Sequence, residues 1–186
     1  MAAGYHNVMP DLILVIIKTG KFKLIRNILV LLGIIALTQG CVSSKYPISK
    51  PDEFSFGESV SSIKEKLTNK CARMIEKDII PITAPLAKES QKQIDCFGFK
   101  YAGMPRKVEL VFQDDQLDIV WILFPVEERE KLISNFTSIY GEPSMTIEFG
   151  TIYLQANAAF RNQPSEVLFA SDRQVKIMLK SLSKTQ

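Results

Sequence analysis

The sequence predicts an α+β fold: an antiparallel sheet built from two helix-plus-meander halves, with the helices packed on one face. Three observations carry that reading. The chain has 186 residues, 46% apolar and 23% charged, which suits one folded domain and excludes wholesale disorder. Apolar residues at three- and four-residue steps mark a helix twice, once after Gly57 and once after Pro125. Each helical stretch is followed by short runs of strand type, and helix, strands, helix, strands is the order of an α+β domain.

Gly57, Glu58 and Ser59 read as a helix start, with Val60, Ile63, Leu67, Cys71 and Met74 forming its apolar stripe. Pro81 and Pro85 then break the chain into a loop. Residues 92–101 read as a strand, with Phe97, Phe99 and Tyr101 on one face and Ile94, Cys96 and Gly98 on the other. Gly103 and Pro105 mark a turn. Residues 107–112 and 117–124 follow as a hairpin. By parity, Leu110 and Phe112 share a face with Leu117, Ile119, Trp121 and Leu123. Val120, Ile122 and Phe124 then fall on the second face, which is expected to be an open partner surface.

Pro125 opens the second helix, which runs to Tyr140 with Leu132, Phe136, Ile139 and Tyr140 as its buried stripe. Gly141 and Pro143 stop it. Strands are expected at 145–149, 151–160, 166–170 and 175–179. The two halves read as a degenerate duplication.

The first forty residues read as an address. The basic stretch from Lys18 to Arg26 precedes the apolar run 28–37, and Gly40 stands just before Cys41. Ten apolar residues span about 15 Å as a helix, half of a bilayer's hydrocarbon core, so a cleaved secretory signal is expected over residues 1–40. Leu12 to Ile17 forms a second apolar patch ahead of the basic stretch, and residues 1–17 are expected to be an over-extended start. Residues 41–53, rich in Ser, Lys and Pro, read as a tether, and the folded domain is placed at 54–182. With the address set aside, the rest of the chain carries equal numbers of basic and acidic side chains. No basic field remains to attract nucleic acid.

Gly40 followed by Cys41 resembles the lipobox of bacterial lipoproteins, although Thr38 and Gln39 stand where that pattern places other residues. The resemblance implies cleavage between Gly40 and Cys41, acylation of Cys41, and a membrane anchor made stable by several buried acyl chains. Val42 follows the cysteine, and in that family the absence of Asp there implies the periplasmic side of the outer membrane. The opening F-G-E-S-V-x-x-I-x-x-x-L at 56–67, followed by a meander, loosely resembles small outer-membrane lipoproteins of the BamE/SmpA type. That resemblance reaches no further than 56–124 and implies a part in envelope protein assembly.

An oxidising compartment favours pairing of the two remaining cysteines, Cys71 and Cys96. With no histidine beside them they make a poor zinc site, and neither a metal nor a cofactor is expected. The only histidine, His6, lies in the address, so no Ser–His or Cys–His pair exists in the mature chain. Asp114, Asp115 and Asp118 lack calcium-loop spacing and read as a polar hairpin tip. Glu127, Glu128 and Glu130 read as a solvated first helical turn. The aromatic set Phe97, Phe99, Tyr101, Trp121, Phe124, Tyr153 and Phe160 reads as core. Together these features predict a non-enzymatic binding or scaffold module, held at the membrane by its lipid and engaging another envelope protein. A carboxylate-dependent hydrolase and a small-ligand or lipid carrier are the alternatives.

Overall fold

The alternating apolar runs at the centre of the chain fold into long antiparallel strands, and shorter strands extend them into a sheet of eight. The computed structural model describes residues 48–182; Gly40, Cys41, the signal segment and the first part of the tether lie outside it. The elements are α1 (Val60–Leu67), β1 (Arg73–Asp78), β2 (Gln91–Tyr101), β3 (Met104–Gln113) and β4 (Gln116–Leu123). Then come α2 (Arg129–Tyr140), β5 (Met145–Ile147), β6 (Gly150–Tyr153), β7 (Ala158–Arg161), β8 (Glu166–Ala170) and α3 (Asp172–Leu182). The strands lie in the order β1-β2-β3-β4-β8-β7-β6-β5, with every neighbouring pair antiparallel.

Ile63 and Leu67 of α1 and Leu132 and Phe136 of α2 share the main core with Leu110, Val120, Ile122 and Phe169 of the sheet. The Phe136 ring sits at the centre of an aromatic cluster, 4.8 Å from Tyr153 and 5.2 Å from Phe160 between centroids. Ile48, placed in the tether by its polar surroundings, is buried in this core, and its carbonyl accepts the Tyr101 hydroxyl proton.

The first helix is shorter than its apolar spacing suggests. Ser59 caps it, its Oγ accepting the Ser62 N–H at 3.2 Å. It ends at Leu67 because Asn69 takes a left-handed φ of 71°, after which Met74 lies in β1. The expected strand at 151–160 is likewise divided, into β6 and β7, by a short 3₁₀ turn and the left-handed Asn157. The expected strand at 175–179 is a helix instead. Ser171 Oγ accepts the Gln174 N–H at 3.2 Å, and Val175 and Met178, three apart, pack on the sheet. This third helix lies on the face opposite α1 and α2, so the helices do not all share one side.

Two bulges decide which side chains face which way. Gly98, at φ 82°, is skipped between Phe97, paired with Lys107, and Phe99, paired with Arg106. Asp118 is skipped between Leu117, paired with Phe112, and Ile119, paired with Val111. Each extra residue inverts the parity beyond it. Phe99 and Tyr101 therefore join Ile94 and Cys96 in the core, while Phe97 faces away.

Candidate functional site

The Asp118 bulge determines both the core face and the far face of β4. Beyond it Val120 and Ile122 turn inward; they and Phe124 are buried in the main core. The partner surface expected at Val120, Ile122 and Phe124 is therefore not at the surface. Ile119 and Trp121 take the far face in their place, beside Leu168 and Ala170 of β8.

The carboxylates near that bulge serve separate structural ends. Asp114 and Asp115, both at positive φ, form the two-residue turn between β3 and β4. The Asp114 carboxylate accepts the backbone N–H groups of Lys88, Glu89 and Ser90, and these hold its pKa below the usual carboxylate range. Asp115 accepts the Val60 N–H at 3.0 Å and so ties the turn to α1. Asp118 is fully buried and points under α3, where it accepts Ser171 Oγ at 2.6 Å and Arg173 Nε at 2.7 Å. This partner raises the Arg173 pKa. Glu128 pairs with the buried Arg106, whereas Glu127 is exposed.

The same network fixes an amide on the far face. Leu86 N–H donates to Gln113 Oε1 at 2.8 Å, which makes Gln113 Nε2 a donor. That nitrogen donates to Asp118 Oδ2 at 3.1 Å and to Gln174 Oε1 at 2.9 Å. Gln174, only 2% exposed, is thereby left with its Nε2 as a donor, and this group meets no protein acceptor among the described residues.

Gln174 lines a groove between α3 and strands β5 to β8, a cavity of about 420 Å³. Ile152, Leu154, Ala159, Leu168, Val175 and Met178 supply apolar walls, and among the described residues no charged side chain lines it. Its volume falls in the range of small-molecule sites, which are apolar with few polar groups. The sequence carries a signal for this site, the Ser171-x-x-Gln174 spacing of a capping box, but the apolar residues after it alternate like a strand.

Beyond α3 the far face is polar and aromatic. Arg73 stacks on Phe97 at 4.3 Å and Arg161 on Trp121 at 4.6 Å, the latter also pairing with buried Glu166. Of the aromatic set, Phe97 and Trp121 lie here, and Phe99, Tyr101, Phe124, Tyr153 and Phe160 in the core. Cys71 and Cys96 are joined by a disulfide with a Cα separation of 5.4 Å, which staples the end of α1 to β2.

No protein-family model matches the chain, and neither does any curated protein or solved structure compared with it. No described helix is long and apolar enough to cross a membrane.

Proposed function

We propose that this chain is an envelope lipoprotein, anchored through an acylated Cys41 on the periplasmic side of the outer membrane. It works as a non-enzymatic binding module that takes an apolar group of its partner into the groove beneath α3. The observation that carries the binding reading is that groove: a concavity apolar and uncharged among the described residues, on the face of the sheet opposite the main core. The anchor rests on the basic stretch, the apolar run and Cys41 directly after them. The strand order supports a further reading, of two helix-plus-meander halves joined through the β4–β8 pair.

Two measurements test this. Intact mass of the chain purified from membranes should correspond to a start at Cys41 plus acyl groups, and Cys41→Ser should abolish the added mass. An uncut, unacylated parent chain overturns the anchor. The Cys41→Ser chain, purified without detergent, should enhance the fluorescence of N-phenylnaphthylamine, and Ile177→Asp on the groove wall should remove the enhancement. A parent that leaves the dye dark overturns the binding reading.

A further inference from the structure

We infer that the groove beneath α3 is a site for a neutral acyl group, an ester-linked fatty chain whose carbonyl oxygen accepts a hydrogen bond from Gln174 Nε2. This inference rests on the groove being the binding site and names the chemistry of its ligand.

Three features of the site converge on that ligand. Among the described residues the walls are uncharged, so what enters is apolar along most of its length. Gln174, buried at the first turn of α3, has its Oε1 held by Gln113, so its amide hydrogens, which meet no protein acceptor among the described residues, are open to an acceptor in the groove. That acceptor must be neutral. No cation is among the described residues that line the groove, so a carboxylate brought to Gln174 would lose its hydration for one neutral donor and no counter-ion, whereas Asp118 already has Arg173 as its own. An ester carbonyl meets this condition and a fatty-acid carboxylate does not.

A peptide fits the groove less well. Its backbone would bring an N–H and a C=O at each residue, whereas among the described lining residues only Asn157, Gln174 and Ser181 offer polar side chains. Asn157 Nδ2 already donates to Asp172, and Ser181 Oγ to the Ile177 carbonyl. Most of a peptide's amides would be left without partners, whereas an acyl chain has only its carbonyl to satisfy.

Displacement of N-phenylnaphthylamine from the full Cys41→Ser chain tests the assignment. Glycerol monodecanoate should displace the dye more effectively than decanoate at a pH where decanoate is ionised. Gln174→Leu should weaken the monodecanoate roughly threefold to tenfold more than it changes the dye, the worth of one hydrogen bond. Ala159→Phe, which narrows the groove without touching the network, should weaken dye and ester together, and it stands in should Gln174→Leu fail to fold. Equal displacement by ester and acid, an ester affinity that changes no more than the dye's in Gln174→Leu, or displacement by an apolar peptide but not by the ester overturns the acyl assignment. In each of those cases the dye still binds and the binding module stands. A dye that never binds removes the module itself.

Discussion

Asp118 and Arg173 meet across the β4–α3 interface with the burial divided unequally: the carboxylate side chain is fully enclosed, and the guanidinium is 41% exposed. The anion alone is removed from water, and its remaining oxygen positions are filled by Ser171 and Gln113. Arg173→Leu would leave a buried charge short of its counter-ion, and a loss of about 3 kcal/mol is expected in urea unfolding. Asp118→Asn, which removes the charge but keeps its shape, should cost less. Were Asp118 the catalytic carboxylate of a hydrolase, its loss would abolish turnover with little effect on stability.

How much of this was legible from the sequence turns on single residues. The β3–β4 hairpin follows directly from its apolar runs, because strands of that length and parity can bury a face in few other ways. Which face they bury does not, since Gly98 and Asp118 each add one residue and invert the alternation beyond them. Strict parity put Val120 and Ile122 on an open surface, and the bulge puts them in the core. The third helix was hidden for a different reason: Val175, Ile177 and Leu179 alternate like a strand, while Ser171 and Gln174 hold the helical start. The groove followed that helix out of view, because a cavity is a property of how two elements pack and no single segment encodes it.

Gly150 gives a local test of the β6–β7 register. A Cβ built there runs into the Phe160 carbonyl oxygen and lies 3.3 Å from the Arg161 Cα, so backbone rather than a flexible side chain blocks it. Gly150→Ala should lower stability by about 2 kcal/mol, within the usual range for forced overpacking. Thermal unfolding of the two chains in parallel measures it. An unchanged midpoint would mean that the two strands do not approach as closely as described.

The Cys71–Cys96 bond closes a loop with a sequence separation of 25 residues. In the chain-entropy model such a loop stabilises the fold by roughly 3 kcal/mol. Urea unfolding with and without a reductant should show a difference of that size. The double variant Cys71→Ser, Cys96→Ser should match the reduced parent and no longer respond to reductant.

Glu166 predicts a pH dependence opposite in sign to that of the carboxylates whose pKa is lowered. Burial raises its pKa from 4.5 to about 7, against the pull of Arg161, with Glu109 adding to the rise and Lys107 opposing it. Below 4.5 the group is protonated in both folded and unfolded chains and leaves stability unchanged. Between 4.5 and about 7 the unfolded chain ionises first, so this group's contribution falls as pH rises, and above about 7 the loss levels off. The full loss is at most about 3 kcal/mol. Asp95, Glu128 and Asp114 have lowered pKa values and act the other way, losing stability as pH falls below the ordinary carboxylate range. Subtracting the stability of Glu166→Gln from that of the parent across pH isolates the one group. The difference should turn against the parent between 4.5 and about 7 and stay flat above. A flat difference throughout would mean that Arg161 keeps Glu166 ionised, and that its burial at the base of the Trp121 stack exerts no net cost on the charge.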